Sequence, residues 1–329
     1  MMSVTDNTVV ERMNSLTDSL PRPLLLLTLA VLLVTPLTSV GFITTEIMIF
    51  AIAVIGFDIL IGYTGYVSFG QAMFFGGGAY ATAFAVEYLN LSFLPAVVGA
   101  VVLCVLIATA VGALSFRRRG VYFALLTLAF AQMFWTMGFI WPDITGGNEG
   151  FSFDRPPLDL GVVEFSMAGN IPVYAFTFVA LALALFLAVR IVESPYGQVL
   201  IAIRENEERV EFLGYNTFRY KLLSFAIAGG YAALAGSLYA MFTEFSFLNL
   251  LFWHQSGDIL MMVLIGGLGT IYGPILGVFL FILLRDYLSA IIPEWPLVLG
   301  LVFVLVILFS PDGLVGIYNR LREQFGGTD

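Results

Sequence analysis

Long apolar runs recur along this chain, at roughly 22–40, 44–62, 67–89, 93–115, 121–141, 171–192, 218–242, 256–268, 274–292 and 295–311. Most are near the roughly 20 residues that an α-helix needs to cross a hydrocarbon core of about 30 Å. Lipid offers no partner for a backbone N–H or C=O, so only helices and closed barrels cross it. A barrel would alternate apolar and polar positions in segments of about ten residues, a pattern absent here. The expected fold class is therefore an all-α polytopic membrane protein, with about ten transmembrane or partly spanning helices. Composition agrees, with 60% hydrophobic and 11% charged residues against roughly 25% charged in soluble proteins.

Ten runs place both termini on one side, and the basic residues identify that side. Arg12, Arg22, Arg117, Arg118, Arg119, Arg190, Arg204, Arg209, Arg219, Lys221, Arg320 and Arg322 then all face the cytoplasm, twelve of the fourteen Lys and Arg. Merging the eighth and ninth runs would send Arg320 and Arg322 outside, so ten is preferred. The organisation expected is a polar cytoplasmic tail over 1–20, a membrane domain over 21–316 and a cytoplasmic tail over 317–329. Within the domain lie an external loop at 142–170 and a cytoplasmic segment at 193–221. The first 20 residues, polar and mixed in charge, do not resemble a cleavable signal. The localisation expected is the plasma membrane, multi-pass.

Two glycine-rich stretches interrupt the runs. Leu60–Gln71 contains Gly62, Gly65, Ser68, Gly70 and Gln71, and a related pattern recurs as Gly266, Gly267 and Gly269. Broken helices at membrane depth are tolerated only against protein or a water-filled cavity, and paired breaks point to a translocation pathway. Glycine also serves close helix packing, so both readings stand. Asp58, just before the first break, is the best single candidate for a polar pathway residue. In the seventh run Ala228, Ala232 and Gly236, with Gly229, Ala233 and Ser237, form rows of small residues suited to helix packing.

Several chemistries are excluded by residue type. A nucleotide-binding P-loop needs Gly-Lys before Ser or Thr, whereas the single lysine, Lys221, lies between Tyr220 and Leu222. One histidine, His254, rules out a multi-histidine metal site or a histidine-based triad, and the single Cys104 rules out an internal disulfide. No enzyme activity, metal or cofactor is expected. If transport is ATP-driven, the ATPase is another polypeptide.

The segment from Glu193 to Lys221 is too polar for lipid and yet patterned as a helix. Ser194-Pro195 is a start signal, and Gly214 followed by Asn216 a stop signal. A cytoplasmic helix hanging from a membrane bundle suggests a docking piece for a soluble partner.

Several stretches in order, from about Ala53 to Gly316, carry a resemblance. They include GYTGYVSFGQAMFFGGGAY (62–80), RRRGVYFALLTLAFAQ (117–132), TGGNEGF (145–151), SPYGQVLIAIRENEERVEFLGYN (194–216), GGLGTIYGPILG (266–277) and SPDGLVG (310–316). The chain resembles the permease subunits of high-affinity branched-chain amino acid ABC importers, of the LivM type. The resemblance implies inward translocation of branched-chain or related amino acids, with urea or short amides as the alternative cargo. It also implies a second, LivH-like permease subunit, two cytoplasmic ATPase subunits that bind the ATP, and an extracytoplasmic substrate-binding protein. Lipid is the surrounding partner, and no nucleic acid is implied. By the same resemblance Arg204, Glu205, Asn206, Glu207, Arg209 and Gly214 belong to a helix that docks on an ATPase. A stand-alone secondary transporter is the competing class, which the ordered cytoplasmic segment disfavours.

Overall fold

A computed structural model of the chain describes residues 41–159, 164–167, 169–291, 293–309, 313–314 and 316. The first apolar run, both tails and their four arginines lie outside those residues. Ten helices longer than one turn are described: α1 (Gly41–Thr64), α2 (Gln71–Glu87), α3 (Phe93–Ser115), α4 (Val121–Ile140), α5 (Asn170–Val192), α6 (Pro195–Phe212), α7 (Thr217–Thr243), α8 (Trp253–Gly266), α9 (Gly273–Ile291) and α10 (Trp295–Phe309). Six of them, α1, α3, α4, α5, α7 and α9, are long and apolar enough to cross a membrane. The protein is all-α and multi-pass, as the apolar runs predict.

Helix α1 is the axis of the bundle. Glu46 and Asp58 are its only charged residues, and it is buried on every side from Thr44 to Thr64, as a helix without a polar face must be. Helix α7 lies across α1, α2 and α3, and its small residues make that crossing possible. A Cβ on Gly236 would sit 1.8 Å from the Phe75 carbonyl oxygen, and one on Gly78 of α2 would sit 2.3 Å from that of Ala233. The small-residue rows are thus contact seams. Phe74, Phe116, Phe123 and Phe225 fill the space beside them with edge-on and stacked ring contacts.

Helix α2 starts at Gln71, later than the apolar run suggests, because residues 65–70 are not helical. Gly65 has φ +76°, and the extended chain beyond it finds its hydrogen bonds in side chains. The Phe69 N–H donates to Thr127 Oγ1 of α4 (3.1 Å), Gly70 N–H to Ser68 Oγ (3.1 Å) and Ala72 N–H to Ser256 Oγ of α8 (2.7 Å). Helix α8, at 14 residues, rises only about 21 Å and cannot cross a hydrocarbon core of about 30 Å alone.

At one end of the bundle the described residues of the 142–170 loop are built rather than loose. It holds a helical turn (Pro142–Thr145), a 3₁₀ turn (Gly147–Glu149) and two short antiparallel pairs. In these β1 (Phe151–Ser152) joins β4 (Phe245–Ser246), and β2 (Leu158–Asp159) joins β3 (Glu164–Phe165). Gly146, Gly147 and Gly150 all take positive φ, which explains the glycines of TGGNEGF. Arg155 clamps the loop to the end of α7. It donates to the carbonyls of Met241 (2.7 Å), Phe242 (3.0 Å), Met167 (3.1 Å) and Gly169 (2.8 Å), and pairs with Glu244 at 2.8 Å. The last carbonyls of a helix lack partners within it, so one guanidinium with five donors suits this place. Burial pulls the Arg155 pKa below its ordinary value, and the Glu244 carboxylate opposes that fall.

Candidate functional site

The other end of the bundle gathers both sets of sequence-predicted residues. Helix α6 begins after Ser194 with Pro195 in its first turn, as the sequence predicts, and ends at Phe212. Gly214 follows with φ +90°. Asn216 departs from expectation: it caps the start of α7 by accepting from the Arg219 N–H, rather than helping to stop α6. Asn206 interrupts α6 with extended angles (φ −160°, ψ 96°), and its Oδ1 accepts from the Arg209 N–H at 2.9 Å. The segment is therefore two helices meeting at a capped break, a place Asn favours.

The first piece is anchored by Gly197, Leu200 and Ile203, which are buried. At its end Arg204 Nη1 donates to the Gly62 carbonyl, where α1 approaches its close. Gly62 is in turn packed on the second glycine stretch: a Cβ there would lie 2.5 Å from the Gly269 nitrogen and 2.2 Å from Asp58 Oδ1. Asp58 is 1% exposed, and its Oδ1 accepts the Gly269 N–H at 2.8 Å. A Cβ on Gly65 would touch the Arg204 side chain at 3.2 Å. The two breaks thus sit together and α6 rests on both. Gly267 and Gly269 take φ +115° and +74°, and a Cβ on Gly266 would meet the Gly273 carbonyl oxygen at 2.1 Å.

Ser68, Gly70 and Gln71 are also buried, higher in the bundle. Neither amide atom of Gln71 has a hydrogen-bond partner among the described residues.

The second piece of α6 is held by a charge network that sequence reasoning missed. Glu207 Oε2 accepts from the Tyr66 hydroxyl at 2.6 Å, and its Oε1 accepts from Lys221 Nζ and, at 3.3 Å, from Thr217 Oγ1. Arg119 reaches Glu207 at 3.4 Å and Glu211 at 3.1 Å. Lys221 also lies over the rings of Tyr66 (5.1 Å) and Phe116 (5.5 Å), a placement that favours an ammonium. Burial pushes the Glu207 pKa up, but the Lys221 and Tyr66 hydrogen bonds and the Lys221 and Arg119 charges outweigh it. The net result is a carboxyl below its ordinary value. The signal available in sequence was the lone lysine, set four residues into an apolar helix.

Other residues of the segment turn away from the bundle. Glu205, Glu208 and Arg209 are exposed, and beyond them Phe212 and Leu213 stand out at 91% and 72%. Large apolar side chains bared to this degree at the tip of a helix suit contact with another protein.

The family model for "branched-chain amino acid transport system / permease component" matches residues 39–310. The chain belongs to this family. Two curated relatives cover 83% of the chain and 69% of their own length. They are the high-affinity branched-chain amino acid transport system permease protein LivM of Escherichia coli (strain K12), 28% identical, and that of Salmonella typhimurium (strain LT2), 29% identical. A probable branched-chain amino acid transport permease protein LivM of Methanocaldococcus jannaschii is 28% identical over 53% of each chain. No solved structure matches the chain. The family match contains all of α1 to α10, so the Asp58–Gly269 contact and the Lys221–Glu207 network both fall inside it.

Proposed function

We propose that this permease is the membrane-spanning subunit of an ATP-driven importer of branched-chain or related amino acids. In this reading the α6 end faces the cytoplasm and the Arg155 end faces outward. The observation that carries it is the two-sided build of α6. One side is fixed to the bundle through Arg204, Glu207, Glu211 and Lys221. The other bares Glu205, Glu208, Arg209, Phe212 and Leu213. A segment that is fastened at its base and apolar and charged at its tip suits transmission of a push from a soluble ATPase. Its break at Asn206 divides it into two pieces, each anchored to the bundle, with the bared apolar tip at the end of the second.

Partners follow from the same reading: a second permease subunit, two ATPase subunits and a substrate-binding protein at the outer face. The clustered breaks around Gly62 and Gly266–Gly269 are then where motion of α6 reaches the inner end of the pathway, with Asp58 as the fastening between them. Gln71 and Ser68 lie further along that route. Because a change of state must come from contacts that differ between states, the Arg204–Gly62 and Glu207–Lys221 contacts are the ones to follow.

The test is purification of the assembled complex with its ATPases. Phe212→Ala with Leu213→Ala should lower ATPase recovery and transport-coupled hydrolysis at least tenfold while the permease stays inserted. Unchanged co-purification would remove the docking role. Binding assays on the associated binding protein decide the cargo, and selective capture of urea or short amides would replace amino acids.

A further inference from the structure

A second ionic cluster lies far from α6, between α1 and α9. Arg285 of α9 donates from Nη2 to both carboxylate oxygens of Glu46 on α1, at 2.9 and 3.0 Å, and to Asp286 Oδ1 at 3.1 Å, with Nε also aimed at Asp286 (3.3 Å). Arg285 stands about 18 Å along α9 from Gly273 and about 9 Å from Ile291, so it sits well inside the span. Glu46 stands about 27 Å along α1 from Thr64 and about 8 Å from Gly41, so the pair lies in the half nearer the Arg155 end.

Depth and exposure together constrain the surroundings. The Arg285 side chain is 26% exposed and that of Asp286 is 36% exposed. Charged groups open to this extent within a span do not face lipid tails, where ionised side chains are costly; they face protein or a water-filled space. Each sign of charge also keeps unused capacity. Arg285 Nη1 makes no hydrogen bond to a described residue, and one oxygen of Asp286 is likewise unengaged. A guanidinium edge beside a free carboxylate oxygen matches a molecule carrying a carboxylate and an ammonium on neighbouring atoms.

We propose that Arg285 and Asp286, held in place by Glu46, form a water-accessible step in the outer half of the translocation route that receives the zwitterionic head of an amino acid. Arg285 takes the carboxylate through Nη1, Asp286 takes the ammonium, and Glu46 is a positioning residue that orients the guanidinium. The apolar side chain is left to the neighbouring surface, so the step selects for the head group and not for the branch. This inference rests on the amino acid reading above.

The experiment uses the complete importer in proteoliposomes, in a Cys104→Ser background. Asp286→Cys should react with a membrane-impermeant, quaternary-ammonium thiol reagent added at the binding-protein face, and absence of reaction would overturn the proposal. Asp286→Asn leaves the Glu46–Arg285 pair in place. It should cut leucine uptake at least tenfold, with assembly and ATPase stimulation by loaded binding protein within twofold of wild type. The double exchange Glu46→Arg with Arg285→Glu keeps an ion pair while reversing its direction, and should do the same. Wild-type uptake in Asp286→Asn would overturn the proposal, whether or not the exchange variant assembles. Labelling of the Asp286→Cys form, together with a wild-type importer that carries no amino acid, would defeat the amino acid reading instead.

Discussion

Asp58 and Gly269 lie 211 positions apart, yet the Gly269 N–H donates to Asp58 Oδ1 over 2.8 Å. Gly269 has φ +74°, so its turn presents the N–H towards α1 at a point where no side chain intervenes. The bond fastens one glycine break to the helix that ends in the other. Asp58→Asn keeps an acceptor oxygen and should leave folding in detergent nearly unchanged. Asp58→Leu strands the Gly269 N–H in a buried place and should cost about 1–3 kcal/mol. Thermal unfolding of the two purified variants checks this, and equal melting points would show that the bond does not fasten the turn.

The close approach at Gly62 makes a sharper demand. A methyl group there would lie 2.5 Å from the Gly269 nitrogen and 2.2 Å from Asp58 Oδ1, so backbone must move. Gly62→Ala should destabilise the protein by about 1–3 kcal/mol, as overpacking does. Gly99, inside α3, whose added Cβ would meet nothing within 4 Å, is the matched control, and Gly99→Ala should not destabilise the protein. Recovery of folded protein after a heat step measures both.

Much of this architecture was legible in the residues, for physical reasons that differ by element. The apolar runs fix helix class because lipid leaves the backbone no alternative. The Ser194-Pro195 start of α6 was readable because its chemistry is local. Asn216 was not, since stop and start signals use the same residue and only the fold shows which neighbour it serves. The candidate sets around Gly62 and Arg204 were each visible, but their contact was not, because the pairing joins segments 142 residues apart. Lys221 was noticed as the wrong residue for a P-loop. Its partner Glu207 could not be told from the exposed Glu205 and Glu208, because the Asn206 break shifts the helical phase between them.

Arg155 offers a test of the opposite end. Its side chain is 4% exposed, and four carbonyl oxygens depend on it. Arg155→Lys retains the charge but presents one ammonium with three donors in place of a planar fork. The 142–170 loop should then loosen from α7, with proteolysis within it at least tenfold faster, while cleavage around α6 at the opposite end is unchanged. Equal cleavage rates would show that the short β pairs hold the loop without the clamp.

Glu207 sets a pH dependence whose sign follows from its environment. Its folded pKa lies below the ordinary carboxylate value, despite burial, because the bonds and charges of Lys221, Tyr66 and Arg119 prevail. A depressed folded pKa means that the unfolded chain takes up a proton first as pH falls. The stabilising contribution is therefore complete above the unfolded carboxylate pKa of about 4.3 and is lost as pH falls through the lower folded value. The α6 anchor should accordingly hold unchanged at neutral pH and release only in acid. Glu207→Gln removes that dependence and leaves the Lys221 ammonium without its partner at any pH, which should cost about 3 kcal/mol or more. Adding Lys221→Met to Glu207→Gln should restore part of the loss, because the uncompensated charge is then gone. Melting temperatures of the wild type and the two variants between pH 4 and pH 8 check the argument. A Glu207→Gln protein that keeps the wild-type slope with pH would assign the acid sensitivity to another group.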